Sequence, residues 1–440
     1  MRILYSFLLY VLAPFAFVRL FVRAARHPVY RQRIGERLGF VPPRAPGAIW
    51  IHAVSVGETR GAAPLVRALQ TTYPDRRILI TTMTPTGSAT VHDLFGDTVE
   101  HCYVPWDLPG AVRRFLDRVQ PCAALIMETE LWPNLFHACA ARGIPIAIAN
   151  MRMSERSARR YRRFAAFTRA TLALPSVLAA QTEADAARLR ALGAPAERVS
   201  VTGNIKFDLT LPDDYAQQTA PLRDRLGAER PIWIAASTHA GEDEIVLDVH
   251  RALQKKWPSL LLLLAPRHPE RFGAVAALAQ ARGFQTARRS GQRADSTLGP
   301  DVEVLVCDTM GELQLLYGAA DVAFVGGSLV PTGGHNLLEP AAAGIPVIFG
   351  PHMFNFDEIA RMTLSHGAGV QARDGAELLV TVRAYFDDCA SRLNAGTQGK
   401  QMIDANRGTL ERLMVLLPNR IAQGGQRGLS DRIPVNQGNS

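Results

Sequence analysis

A chain of 440 residues is too long for one ordinary core and sets the expectation of two domains of roughly 200 residues each. With 48% hydrophobic and 20% charged residues it is not a disordered chain, and five scattered cysteines without CxxC spacing exclude a disulfide framework and a thiolate zinc site. The formal charge of +9 is local: residues 1–44 hold eight arginines and one acid, residues 151–170 hold seven arginines and one acid, and the remainder is net acidic.

Such patches suit an anionic surface, either phospholipid or a phosphorylated glycolipid. Nucleic acid ranks last, because no RNA- or DNA-binding motif occurs and there is little interleaving of aromatic residues with the arginines.

The first predicted element is "ILYSFLLYVLAPFAFVRLFV", residues 3–22, whose only charge is Arg19. Its uncharged run of 16 residues is short for a span, but counting to Val22 gives 20, which is enough. Pro14 is expected to kink the helix. Arginines cluster after the segment and place the bulk of the chain in the cytoplasm. We read residues 1–24 as a retained membrane anchor; an interfacial helix and a cleaved signal peptide are the other readings, and Arg19 and Arg23 interrupt the place of a cleavage site.

From residue 48 short apolar runs alternate with helical patterns. Strands are predicted at 48–54, 77–83, 122–129, 145–151, 176–182 and 199–203, with helices between them, one of them ending on Gly193. The polar stretch 211–231 breaks the rhythm as a linker with a short helix. Alternation restarts with strands at 231–238, 260–267, 303–309, 321–328 and 346–350. Strands apolar on both faces and separated by helices imply parallel sheets covered on both sides. The expected organisation is an N-terminal Rossmann-like domain at 25–212, a C-terminal one at 213–425, the two facing a cleft, and a polar tail at 426–440.

Ligands of open α/β sheets bind beyond the carboxyl ends of the strands, so those loops are where chemistry is sought. The first is "HAVSVGETRGA", residues 52–62, where Gly57 would allow a tight turn that aims Glu58 outward. Ser55 is a candidate helix cap, and a strand-end histidine such as His52 is more often packed than catalytic. Glu128 and Glu130 form an acid pair before "LWPN"; a plain helix-start role is the competing reading.

In the second half, "APRHPERF" (265–272) places Arg267 and His268 at a strand end, with Pro269 opening the next helix. "CDTMGEL" offers Gly311 for close backbone approach and Glu312 in a first helical turn, where a carboxylate also suits the helix dipole. "GGSLVPTGGHNLLEP" (326–340) is the strongest signal. Its glycines can let backbone N–H groups cup a phosphate at a helix start near Asn336, and Glu339 can accept both hydroxyls of a ribose. Neither GxxxxGK[ST] nor a strand-end GxGxxG occurs.

Six motifs, "HAVSVGE", "METELWPN", "TGNIKFD", "APRHPERF", "MGEL" and "GGHNLLEP", stand in this order over roughly residues 1–420. With the N-terminal anchor they closely resemble the 3-deoxy-D-manno-octulosonic acid (Kdo) transferases of lipopolysaccharide biosynthesis. The resemblance implies a GT-B glycosyltransferase fold, CMP-Kdo as donor substrate, the lipid A precursor lipid IV-A as acceptor, inversion at the anomeric carbon, and work on the cytoplasmic side of a Gram-negative inner membrane. By motif, Glu58 is similar to the family's catalytic base, while Glu128 and Lys206 match positions that support the transition state. Pro266 and Arg267, the trio Met310, Gly311 and Glu312, and the run Asn336, Leu337, Leu338 and Glu339 match CMP-binding segments.

The chemistry agrees with that reading. The acceptor hydroxyl must lose its proton as the new bond forms, which a carboxylate within hydrogen-bond reach can arrange. The departing CMP gains negative charge, which an arginine and a helix N-terminus can stabilise. Kdo carries its own carboxylate, for which Lys206 or an arginine is a plausible partner. No DxD-like acid pair stands at a strand end, so no cofactor and no obligatory metal is expected. Arg159, Arg160, Arg162 and Arg163 suit the acceptor phosphates and the anionic membrane, or else form only a solvated helix face. No obligate protein partner is evident. The alternatives are another GT-B nucleotide-sugar enzyme, either a UDP-sugar transferase or an epimerase, and a membrane-tethered nucleotide-binding module without catalysis.

Overall fold

The computed structural model describes residues 1–417 except 27, 210, 294 and 295, so the polar tail expected at 426–440 lies outside the described residues. The chain forms two compact units, Met1–Asp208 together with the chain from Arg407, and Leu209–Asn406. Expected boundaries at 212/213 and 425 are thereby corrected, and the anchor segment belongs to the first unit. The cause is a return crossing. Asp208 accepts the backbone N–H of Gly408 at 2.7 Å and of Thr409 at 3.2 Å, and also that of Leu410. Leu413 and Leu417 then enter the same core as Ile205.

Unit one holds strands β1 (Ile49–His52), β2 (Ile78–Thr82), β3 (Glu100–Tyr103), β4 (Ala123–Met127), β5 (Ile146–Met151), β6 (Val177–Ala180) and β7 (Val199–Val201). They form one parallel sheet in the order β3-β2-β1-β4-β5-β6-β7. Alternate side chains leave on opposite faces. Trp50, Leu79, Ile126 and Ile148 fill one core, and Ile49, Ile51, Ile80 and Leu125 fill the other. Burial on both faces is why the interior strands β1, β2, β4, β5 and β6 read as largely apolar runs.

Unit two repeats the plan with β8 (Ile232–Thr238), β9 (Leu261–Pro266), β10 (Thr286–Arg288), β11 (Val304–Val306), β12 (Val322–Val325), β13 (Val347–Phe349) and β14 (Gly369–Gln371). The order is β10-β11-β9-β8-β12-β13-β14, all parallel.

In each sheet the winding reverses direction once, between β1 and β4 and between β8 and β12. The loops that leave those strands cannot cover the gap, so a crevice opens there. Glu58 follows β1 and Glu128 follows β4, which puts both acids at the first reversal. The N-terminal helix, Arg2–Arg26, runs through Pro14 as one helix.

Candidate active site

Ser55 caps the helix Val56–Thr72 that follows β1, its Oγ accepting the Glu58 N–H at 3.3 Å. The Glu58 carboxylate turns back on the same turn. It accepts the Val54 N–H at 2.8 Å and the Ser55 hydroxyl at 3.1 Å. The acid thus reaches back one residue beyond the cap, to Val54 rather than to the Ser55 N–H, and the two bonds hold its rotamer. Gly57 is not the turn residue expected: it lies inside the helix without a positive φ, and a Cβ there would meet only Ser55 Oγ at 3.8 Å. The turn is made by the cap, and Gly57 leaves the space beside Glu58 open.

Burial pushes the Glu58 carboxyl from 4.5 up to about 7; the Val54 N–H opposes this, while the nearby Glu128 charge reinforces it. A carboxyl at that value exchanges protons near neutral pH.

Glu128 leaves β4 in a left-handed backbone conformation, φ +56°, its N–H bonded to Ala149 O at 2.8 Å. A non-glycine residue held there is strained, and such strain gathers where a side chain must be aimed. Glu130 accepts Trp132 Nε1 at 2.8 Å, and burial raises its carboxyl as well. Glu58, Glu128 and Glu130 line one cavity of about 340 Å³ together with Arg152, Ser154 and Ser157. Arg152 is the cation that motif reasoning missed; its signal was its place at the end of β5. The Arg152 N–H bonds Thr129 Oγ1 at 3.2 Å, tying the β4 and β5 loops together.

Lys206 sits on the turn Ile205–Phe207, beyond β7, and is not among the residues lining that cavity. The turn packs against the Glu58 helix. Its placement depends on Asn150, another left-handed residue at φ +57°, whose Oδ1 accepts the Ile205 N–H at 3.1 Å. His52 is packed: Nδ1 faces Thr81 Oγ1 at 2.9 Å, its ring meets Trp132 edge-on, and burial lowers it to about 4.

The arginines expected at the membrane lie on and after the helix Glu155–Arg162, which Ser154 caps at 3.1 Å. Arg159, Arg160, Arg162 and Arg163 are all exposed. Arg156, Arg159, Arg160 and Arg163 line a depression of about 400 Å³, whereas Arg162 does not.

In unit two, Pro266 ends β9 and is buried, and the Arg267 N–H bonds Thr238 O at 3.0 Å. Met310 is 67% exposed. Gly311 has φ +84° with nothing near a hypothetical Cβ, so backbone there is open to a ligand. Glu312 is the residue before the helix Leu313–Ala319 and takes Arg289 in a two-toothed pair at 2.9 and 3.2 Å. Burial raises that carboxyl, but the Thr309 hydroxyl and Arg289 together hold it below 4.5. Asn336 bonds Glu339 Oε1 at 3.0 Å and caps the Leu338 N–H at 3.1 Å. Leu337 and Leu338 are both 0% exposed, so only their backbone can face a donor.

The phosphate cup expected from the glycines is occupied by the protein itself. Glu242, also 0% exposed, accepts the N–H groups of Gly327 at 2.7 Å, Ser328 at 3.0 Å, Leu329 at 2.9 Å and His239 at 2.9 Å. Gly333 and Gly334 have positive φ and pack where a Cβ would meet Asn355 at 2.1 Å or Met353 at 2.2 Å. They serve close packing. His239 and His335 stack with Nε2 atoms 2.9 Å apart, so one of the two rings is neutral.

The family model of the 3-deoxy-D-manno-octulosonic-acid transferases (kdotransferases) matches residues 32–209. The Kdo transferase of Haemophilus influenzae is 47% identical over 422 residues, covering 94% of this chain and 98% of that protein. That of Bordetella pertussis is 39% identical over 94% and 98% of the two chains. A UDP-GlcNAc 2-epimerase from Neisseria meningitidis, bound to UDP-GlcNAc, superposes with TM-score 0.57 at 12% identity, covering 84% of this chain and 100% of the other. That likeness concerns the fold alone, which is the GT-B architecture of two doubly wound units.

Proposed function

Since this chain belongs to the family of 3-deoxy-D-manno-octulosonic acid transferases, we propose that it moves Kdo from CMP-Kdo to lipid IV-A, with inversion, at the cytoplasmic face of the inner membrane. One observation carries the reading beyond the family assignment. Glu58, locked by its own cap, has a carboxyl pushed to about 7 inside a cavity built at the β1/β4 reversal.

Glu58 takes the proton of the acceptor's primary hydroxyl as its oxygen attacks the Kdo anomeric carbon. Single displacement puts that oxygen and the departing CMP on opposite faces of the carbon. Glu128 and Arg152 orient the acceptor sugar. Lys206 pairs with the Kdo carboxylate; Lys206→Ala should lose transfer while CMP still binds, and normal turnover would remove this role. Pro266, Arg267, Gly311 and the Asn336–Glu339 run hold CMP, with Arg267 supplying the positive charge for the leaving phosphate. Met310 and Glu312 flank that site, Glu312 by keeping Arg289 in place.

The lipid character of the acceptor is supported by the surroundings of the acids. An apolar cavity of about 380 Å³ shares Glu130 with the carboxylate cavity and runs along Leu9, Leu12, Leu108 and Trp132, as an acyl chain requires. A soluble UDP-sugar epimerase has no use for it. A nucleotide sensor has no use for a carboxyl poised at about 7.

Protonated Glu58 cannot accept a proton. Acceptor kcat/KM should therefore rise about tenfold per pH unit below 7 and level off above it; a flat profile from pH 5 to 8 would exclude Glu58 as base. Reversing Arg159, Arg160 and Arg163 to Glu removes about 1 kcal/mol of attraction per arginine. Binding to anionic liposomes should weaken steeply; unchanged binding would make the cluster only a solvated face. The function itself is tested by CMP release. Release from CMP-Kdo should require lipid IV-A and persist in EDTA, since we propose that no metal takes part, and UDP-sugars should release no UDP.

A further inference from the structure

The N-terminal helix passes the length test for crossing a bilayer, yet the way it is held says otherwise. One stripe of the helix, Tyr5, Ser6, Leu9, Ala13, Phe17, Leu20 and Ala24, is turned to the protein, at spacings of three and four residues. Polar bonds fix it. The Tyr5 hydroxyl donates to Asp107 Oδ2 at 3.0 Å, and the Ser6 hydroxyl donates to Asn134 Oδ1 at 3.0 Å. Tyr10 Oη accepts the Gly110 N–H at 3.3 Å. Phe17 meets Trp106 edge-on at 4.6 Å.

Asp107 is itself anchored, accepting the N–H groups of Asn134 at 3.0 Å and Leu135 at 2.7 Å. The helix is therefore clipped to the start of the helix Pro133–Ala141, which directly follows the acids of the active site.

Contacts from Tyr5 to Phe17 occupy 12 residue steps, about 18 Å of helix. From Phe17 to Ala24 the helix runs about 10 Å further along the protein, with Leu20 half-buried and Ala24 1% exposed. Neither part can reach across a hydrocarbon core of about 30 Å while the clips hold. The face opposite the clips carries Leu4, Phe7, Val11, Phe15, Val18 and Val22, each between 49% and 69% exposed. Six large apolar side chains in one stripe form a surface that water does not favour. The exposed arginines 159, 160, 162 and 163 of the same unit complement anionic headgroups.

We propose that the helix lies in the plane of the membrane interface, one face clipped to the first unit and the other in the acyl boundary of anionic phospholipid, and that it does not cross the bilayer. The proposal does not depend on which reaction the protein catalyses. Its geometry makes the helix a rigid spacer that fixes the height of the carboxylate cavity above the lipid.

Sidedness tests it in the full chain. Cys389 is exposed and the other four cysteines are buried, so wild-type protein reports which side the second unit occupies. R2C and R23C, each in a Cys389→Ser background, report the two ends of the helix. An impermeant maleimide should label all three proteins in inside-out inner-membrane vesicles and none of them in spheroplasts. Labelling of R2C only from the periplasmic face, or from neither face, overturns the proposal. So does recovery of the wild-type chain as a soluble dimer, which would make a second copy the occupant of the apolar face.

Discussion

Glu58→Gln should reduce Kdo transfer by about 10²–10⁴-fold while leaving the protein folded. The effect is large because the substitution keeps the shape of the side chain and one oxygen for the cap, yet removes the group that accepts the proton. A cap alone predicts the reverse. If Glu58 only closed its helix, Gln would hold the Val54 N–H and turnover would survive.

Stability separates the two roles further. Glu58 has its folded value raised from 4.5 to about 7, so the fold favours the protonated form. That preference stabilises the fold fully below pH 4.5 and is lost as pH rises through 7. Above that point the wild type carries a half-buried charge that Gln does not. Glu58→Gln should therefore melt no lower than wild type at pH 8, and a lower midpoint with retained activity would identify a purely structural acid.

Glu242→Ala should cost about 4 kcal/mol of stability in the second unit. Four backbone donors converge on this carboxylate, two on each oxygen, and each stranded donor costs at least about 1 kcal/mol. Amide exchange at Gly327, Ser328 and Leu329 should accelerate about 10³-fold, since each 1.4 kcal/mol is about a factor of ten. CMP binding should fall with it, because the same loop runs on to Asn336 and Glu339. Glu242→Gln should be intermediate: its oxygen can keep Ser328 and Leu329, while its NH₂ faces two N–H groups. Exchange within tenfold of wild type in Glu242→Ala would show that the loop holds itself.

Most strands that the sequence made legible are buried on both faces; the exception is the edge strand β7, whose Val201 is 38% exposed. Each of the eleven predicted strands is found, trimmed by a few residues at its ends. The three that escaped, β3, β10 and β14, are sheet edges with half-exposed sequences such as "EHCY" and "TAR", where no apolar run forms. Glu58 and Glu128 were legible because strand ends announce ligand loops. The Ser55 cap was legible too, but the Glu58 bond to Val54 and the strained backbone of Glu128, bonded to Ala149, were not, since no motif spells them.

Glu242 was invisible for a related reason. Three of its four donors lie some 85 residues away in sequence, and a glycine pair looks the same whether it cups a phosphate or packs against Met353. The domain boundary was misplaced by the Asp208 bonds to Gly408 and Thr409, which join segments 200 residues apart.

Kdo transfer by this chain should need Glu58. Mass spectrometry of lipid IV-A incubated with CMP-Kdo and either wild-type protein or Glu58→Gln tests it directly. The wild type should add the mass of one or more whole Kdo residues, and Glu58→Gln should leave the lipid unchanged. An unchanged lipid with wild-type protein, or the same mass gain with both, would contradict it.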